Sequence, residues 1–304
     1  MTTYEISHVT TYTYDEDVTG SYGLYGLRPR ELPWQQNLAH EVTIEPAPRD
    51  LATHLDAYGN TRSYFHVTTP HTQLVITGRS TVQVVDPPGT DAPVRSGALE
   101  LPWEQCRPGL RSDLPEAWRA IDFTLESPLV DLPIEVADYA QRSLRPGRAL
   151  GEAVVELMHR IHDDFAYKSG STTVTTRVAD VLEQRTGVCQ DFAHLMIAGL
   201  RSQGLAAQYV SGYLATRAVP GRPRQVGADA SHAWVGCWVP GEDWLHLDPT
   251  NDRLVDDTHA TVAWGRDYGD VAPVKGVIFT SATTSTMKVG VDMVRAESTP
   301  TEPG

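Results

Sequence analysis

The run Thr186-Gly187-Val188-Cys189-Gln190-Asp191-Phe192-Ala193-His194-Leu195-Met196-Ile197-Ala198-Gly199-Leu200 governs the reading of the whole chain. Phe192, Ala193, Leu195, Met196, Ile197, Ala198 and Leu200 are apolar nearly all round a helix, and Gly204 supplies the stop. A helix without a polar face belongs in the middle of a domain. Cys189 falls at its N-terminus, just after Gly187-Val188. Unpaired N–H groups and the positive dipole end there stabilise a thiolate, which is the nucleophilic form. A backbone N–H at the same place can cradle a developing oxyanion.

Working outward, residues 134–144, 148–165 and 177–185 carry helical periodicity, as in Val154, Val155, Leu157, Met158 and Ile161. Strands are expected after the central helix at 206–215, 231–239 and 244–248. Helices followed by strands, without βαβ alternation, give an α+β class with a central helix packed on an antiparallel sheet. The first ninety residues read differently. Tyr4, Ile6, His8, Thr10, Tyr12 and Tyr14 alternate with smaller polar residues, and further β-rich runs follow at 40–46, 51–57, 62–69 and 73–85. Short strands at this spacing suggest an all-β sandwich-like domain. Asp86-Pro87-Pro88-Gly89-Thr90-Asp91-Ala92-Pro93 reads as a linker. The organisation expected is a β-domain at 1–90, a connecting segment at 91–133, a core at 134–296 that includes the alternating run Met287, Val289, Val291 and Met293, and a disordered tail at 297–304.

His232 opens the strand Ser231–Trp238, and Asp248 closes Trp244–Asp248 before Pro249. If Val239-Pro240-Gly241 is a three-residue loop, 238 pairs with 242 and His232 lies opposite Asp248 on one face. Opposed side chains start about 5 Å apart at Cβ, close enough for a carboxylate to hold an imidazole N–H. A four-residue loop at 240–243 would put the two on opposite faces, and Pro240 biases Val239 away from the helical region that the shorter loop prefers. Cys237 points to the other face, and Cys106 sits in a loop without an acid–base partner. A thiol, an imidazole and a carboxylate in this order form a Cys189-His232-Asp248 triad: histidine takes the thiol proton, and aspartate fixes its tautomer. His246 shares the face of Asp248 and is the rival base, while His194 points away from Cys189 along the helix.

The 304 residues carry 25 basic and 39 acidic side chains, a net charge of −14, which argues against a nucleic-acid partner, since a phosphate backbone demands a basic face. No apolar run is long enough for a membrane span, and the start lacks the pattern of an export signal. Three scattered cysteines do not make a disulfide framework. A cytoplasmic protein with reduced thiols is expected. No cofactor and no metal are implied: His159-Arg160-Ile161-His162 reads as a solvated helix end, and Asp15-Glu16-Asp17 lacks the alternation of a calcium loop.

Gly187-Val188-Cys189-Gln190-Asp191-Phe192-Ala193-His194, Tyr209-Val210-Ser211-Gly212-Tyr213, Ser231-His232-Ala233-Trp234 and Leu247-Asp248-Pro249-Thr250 together resemble the core motifs of the bacterial transglutaminase-like superfamily. Gly265-Arg266-Asp267-Tyr268, with Asp270, Pro273 and Gly276, resembles its cysteine-protease-like branch. Leu27-Arg28-Pro29-Arg30 and Asp56-Ala57-Tyr58-Gly59-Asn60 resemble the β-domain that precedes the core in that branch. The resemblance implies a papain-like α+β core with Cys189 on the central helix and His232 and Asp248 on the adjoining sheet. It also implies acyl transfer from an amide carbonyl through a thioester. Members of the branch often occur beside peptide-ligase-like proteins of the ATP-grasp type, which implies partners from such a system.

Phe165-Ala166-Tyr167 matches an aromatic segment upstream of the family's cysteine, so Tyr167 is a candidate for the substrate or oxyanion site, with packing as its competing role. Gln190, in the first helical turn, and Trp234, on the face of His232, are further candidates for that site. The reading reached is hydrolysis of a peptide or protein amide. A protein-glutamine transglutaminase, with an amine as acceptor, is the alternative. A catalytically silent peptide-binding or assembly module, recruiting by strand addition to the β-domain, belongs to another class. Arylamine acyl transfer uses a similar triad, but the β-domain and the Asp267-Tyr268 segment do not resemble that family.

Overall fold

The computed structural model describes residues 1–87, 97–215 and 231–296. Most of the expected linker and the whole expected tail lie outside these residues. The chain begins with β1 (Thr2–Tyr25), β2 (Gln35–Glu45), β3 (Asp50–Leu55), β4 (Thr61–Val67) and β5 (His71–Val84). Helices follow: α1 (Ala117–Ile121), α2 (Ile134–Gln141) and α3 (Leu150–Asp164). Next come β6 (Ala166–Tyr167), α4 (Val178–Gln184), β7 (Thr186–Gly187) and the central α5 (Cys189–Ser202). The chain continues through β8 (Ala207–Leu214), β9 (Ser231–Trp238), β10 (Trp244–Asp248), β11 (Arg253–Leu254), β12 (His259–Gly265) and α6 (Tyr268–Val271). It ends in β13 (Val274–Thr280) and β14 (Ser285–Arg295).

β1 organises the N-terminal domain. Its even-numbered residues Tyr4, Ile6, His8, Thr10 and Tyr14 are buried, as the period-2 pattern requires. The strand is long enough to serve two layers. Its first half runs between β5 and β14, and its second half between β4 and β13. Tyr14, Val18, Tyr25, Ile44, Phe65, Val67, Leu74 and Ile76 fill the space between the halves, which makes the domain sandwich-like. The expected core span of 134–296 includes residues that do not belong to the core sheet: β13 and β14 pair with β1. Alternation told a strand from a helix at Met287–Met293 but carried no information on which sheet receives it.

The second sheet is antiparallel throughout, in the order β11-β10-β9-β8-β12. α5 packs on β8 and β9, against the face that carries Ala233, Val235 and Cys237, and α2, α3 and α4 cover its other sides. Leu195, Met196, Ile197 and Leu200 are fully enclosed, each contributing about 1.5–3 kcal/mol of hydrophobic stabilisation. The helix closes with Gly204 N–H donating to Arg201 O (2.8 Å) and Leu205 N–H to Leu200 O (3.1 Å), the paired bonds of a Schellman stop.

The two domains share one interior, since Tyr4, Ile6, Val82, Val84, Val291 and Met293 join the cluster built on α5. β12 is an edge strand, yet nearly every residue in it is buried. The β-domain covers it. Gln35 donates from Nε2 to Thr261 O (2.8 Å) and accepts from Thr261 N–H (2.7 Å). Asn60 likewise brackets Trp264, and the Arg30 guanidinium stacks 3.5 Å above the Trp264 ring. Among the described residues, no helix is long and apolar enough to cross a membrane.

Candidate active site

α5 starts abruptly because Asp191 folds back on its own N-terminus. Its carboxylate accepts from Val188 N–H (2.7 Å) and from Thr172 Oγ1–H (2.6 Å). This satisfies a donor outside the helix and places negative charge at the positive dipole end. Gly187 makes the fold-back possible: a Cβ there would stand 2.8 Å from Asp191 Cβ. Cys189, half-buried, is therefore held at a rigid first turn.

The hairpin that carries the histidine and the aspartate is not the one expected. Trp244, not residue 242, pairs with Trp238, so the loop spans 239–243. Within it Glu242 N–H donates to Val239 O (3.1 Å), and Gly241 has φ of 74°. Pro at the second position and a left-handed glycine at the third form a type II turn. Pro240 thus excludes the three-residue loop for the steric reason already given. The shift is two residues, so parity survives: Asp248 comes opposite Trp234, and His232 lies diagonally from it on the same face.

The diagonal is closed by side chains. His232 Nε2 donates to Asp248 Oδ2 at 2.7 Å, and Cys189 lies close enough to the same imidazole to act on it electrostatically. Asp248 is fully buried and heavily solvated by the protein. Its Oδ1 accepts from Thr250 N–H (3.0 Å) and Asn251 N–H (3.2 Å), and its Oδ2 also accepts from Asn251 Nδ2–H (2.7 Å) and His259 Nε2–H (3.3 Å). Burial alone would raise the carboxyl pKa; the bonds from His232 and His259 outweigh it and hold the group well below its ordinary range. Burial would likewise lower the imidazole of His232, but Asp248 and Cys189 together push it up to about 10.

The other cysteines are placed differently. Cys106 and Cys237 are enclosed, and burial pushes their thiols up to about 11 and about 12. His246, the rival base, opposes Gly236, is fully buried against Trp34, and is pushed down to about 4 by burial and by His259. His194 accepts from Tyr268 N–H (3.2 Å), which ties the Gly265–Tyr268 motif to α5.

Of the other candidates, Tyr167 is 57% exposed and close enough to Cys189 for the two charges to interact; its strand β6 runs parallel to β7, directly before the cysteine. Gln190 donates from Nε2 to Val174 O (3.2 Å), away from the thiol. Trp234 is fully buried, its ring 6.2 Å from His232 and 5.4 Å from His259, so it backs the imidazole instead of lining an open cleft.

Two residues at this centre escaped the sequence reading. Asn251 follows the Asp248-Pro249-Thr250 motif and belongs to the same turn, a local signal that could have found it. His259 has none: ten residues, the short strand β11 among them, separate it from Asp248. The ligand atoms of His232, Asp248 and His259 lie within 4.8 Å of one another, a donor set that could hold a transition metal. Asn251 Nδ2, a hydrogen-bond donor, stands 2.7 Å from Asp248 Oδ2 and 3.2 Å from His232 Nε2 and fits a hydrogen-bonded cluster better than a coordinated cation.

Comparison with known proteins bears on the family and the fold. Residues 4–83 match the bacterial transglutaminase-like N-terminal region, and residues 137–249 match the transglutaminase-like superfamily. An uncharacterized protein of Mycobacterium tuberculosis is 48% identical over 299 residues, covering 97% of this chain and 93% of that protein. The protein-glutamine gamma-glutamyltransferase of Pseudomonas aeruginosa is 37% identical over 140 residues, 43% of this chain and 21% of the relative. The crystal structure of a cysteine-protease-like protein from Cytophaga hutchinsonii superimposes with a TM-score of 0.71 at 21% identity, covering 99% of this chain and 92% of that one.

Proposed function

The chain belongs to the transglutaminase-like superfamily, and from that premise we propose that it is an acyl-transfer enzyme that cleaves a peptide or protein amide with Cys189, His232 and Asp248. The observation that carries the reading is the 2.7 Å bond from His232 to the buried Asp248 carboxylate, with Cys189 near enough to the same imidazole to raise it.

In this mechanism Cys189 adds to the amide carbonyl as the thiolate, paired with the His232 imidazolium that an imidazole raised to about 10 supplies at neutral pH. The oxyanion forms beside the N-terminus of α5, whose first N–H groups have no acceptor within the helix. Collapse breaks the C–N bond, and the imidazolium gives its proton to the departing amine. The thioester then meets an acceptor whose proton passes to His232, and the thiol is regenerated. Asp248 stays ionised throughout and stabilises the imidazolium. Tyr167, at the rim, borders the acyl group; Gln190 and Trp234 support the loop and the imidazole.

Water is the acceptor we assign, because an amine acceptor calls for a bound amine and protection of the thioester from water. The competing reading, amine transfer, is favoured by the likeness of the core to the Pseudomonas aeruginosa gamma-glutamyltransferase. We place the reaction in the cytoplasm, on the support of three unpaired cysteines. Mass spectrometry of Cys189 after incubation with peptide libraries, with and without an added primary amine, tests the proposal. A trapped acyl adduct released as free acid supports hydrolysis, and release as an amide supports transfer. Absence of any adduct under both conditions overturns both.

A further inference from the structure

We propose that the β-domain completes the catalytic centre: by clamping β12 it seats His259 as a positioning residue that holds the Asp248 carboxylate against His232. The inference rests on the reading of Cys189, His232 and Asp248 given above and extends it to a residue and a domain with no assigned role.

Asp248 sits at the end of β10, its Oδ1 held by Thr250 N–H and Asn251 N–H and its Oδ2 by Asn251 Nδ2–H. His232 engages only one of its oxygens. His259 meets that same oxygen at 3.3 Å, with its side chain completely enclosed. The second ring nitrogen of His259 is also anchored: Nδ1 lies 3.0 Å from Asp256 Oδ1 and 3.3 Å from Asp256 N–H. Asp256 in turn accepts from Thr258 N–H (2.9 Å) and Arg253 Nη1–H (3.1 Å). A ring fixed at both nitrogens is a rigid stop for the carboxylate. His259 does not contact the thiol, so it acts through Asp248.

The position of His259 depends on residues from the other end of the chain. It is the first residue of β12, and the β-domain grips the strand on both sides of it. Before it, Asp257 accepts from Thr2 Oγ1–H (2.6 Å) and donates its N–H to Asp86 Oδ1 (2.9 Å). After it, Thr261 is held at both backbone groups by Gln35, and its carbonyl also accepts from Arg30 N–H (3.1 Å). The Gln35 side chain therefore replaces a missing strand neighbour on the outer edge of β12.

The test is the rate of iodoacetamide addition at Cys189 against pH, read by intact mass on the full chain, which reports on the thiol whether or not a substrate is known. His259→Phe fills the space without a donor; His259→Gln keeps an amide N–H; Gln35→Ala and Thr2→Val break only the clamp. His259→Phe is expected to slow addition at neutral pH about 10- to 100-fold and to displace the pH profile, since one charge-assisted hydrogen bond is lost. His259→Gln recovers most of the rate, and the two clamp variants shift the profile in the direction of His259→Phe with little loss of melting temperature. A folded His259→Phe with the wild-type profile overturns the proposal. Should that variant fail to fold, wild-type profiles in both clamp variants overturn it instead. Wild-type protein in which Cys189 reacts no faster than Cys106 and Cys237 overturns the reading of the site itself, and this inference with it.

Discussion

His232 and Asp248 meet at 2.7 Å although the ladder between β9 and β10 offsets them by two residues. The offset arises in the type II turn at Val239–Glu242, and the period of two along a strand leaves both side chains on one face whichever of the two registers forms. The imidazole then leans along the strand to reach the carboxylate, and its other nitrogen is left for the thiol.

That geometry predicts the effect of Asp248→Asn. An amide in place of the carboxylate cannot accept from all the donors around it, nor stabilise the imidazolium. Turnover of any amide substrate should fall about 10³- to 10⁴-fold, as expected when the carboxylate of such a triad becomes an amide. The mismatched buried donors should destabilise the fold by about 1–3 kcal/mol. Steady-state kinetics beside urea unfolding checks both; unchanged turnover would remove Asp248 from the mechanism.

The pH dependence follows from His232. Its imidazole is raised from an ordinary 6.5 to about 10, so its stabilising contribution is whole below pH 6.5 and disappears as pH climbs through about 10. Asp248, held low, works in the opposite sense and loses its contribution only as pH falls below the usual carboxylate range. The stability gap between wild type and His232→Phe should therefore be widest from about pH 4 to 6.5 and close toward pH 10. Denaturant unfolding across this range measures it. Turnover should fall on the alkaline side near pH 10, where no imidazolium remains to protonate the leaving amine.

Labelling distinguishes the three thiols. Cys106 and Cys237 are enclosed, and their thiols are raised to about 11 and about 12, so in the folded protein iodoacetamide at neutral pH should modify Cys189 alone. In Cys189→Ala the modification should vanish. Peptide mapping that finds all three equally labelled would count against an activated nucleophile.

These outcomes also measure what the residues disclosed by themselves. The burial of α5 and the cysteine at its start are written in local patterns: an all-round apolar helix and a glycine before a thiol. The hairpin register was not legible even to its parity, because Pro240-Gly241 suits more than one loop and a four-residue loop would have parted the two side chains. His259 was illegible for a different reason. It reaches Asp248 from beyond the short strand β11, and its place is fixed by Thr2, Gln35 and Asp86, more than 170 residues away along the chain. The pairing of β13 and β14 with β1 is of the same kind, since strand alternation names a face and never a partner.

Gly187→Ala tests the start of the helix. The added methyl would press on Asp191, at 2.8 Å from its Cβ and 3.0 Å from its Oδ2, and break the bond to Val188 N–H. A cost of about 1–3 kcal/mol is expected from overpacking and the lost cap together. Addition of iodoacetamide at Cys189 should slow as its turn loosens. Thermal unfolding and the labelling rate report the two effects separately, and a variant unchanged in both would show that Asp191 can yield without disturbing Val188.

Truncation after Pro273 tests where the domain boundary lies. It removes β13 and β14, and with them both Val291 and Met293, which are fully buried in the shared interior beside Tyr4 and Ile6. The first half of β1 would keep β5 but lose its other neighbour, and the second half would keep β4 alone. An apolar strand edge exposed in this way pairs with other chains. The truncated protein should therefore be recovered in aggregates, and a fragment of residues 134–273 should behave no better, because β12 would lose Gln35, Arg30 and Asn60 from its outer edge. Circular dichroism and gel filtration of the two fragments decide the matter: a monomeric, cooperatively melting 134–273 would mean that the helices and the second sheet fold without the β-domain, and that the clamp on β12 serves chemistry alone.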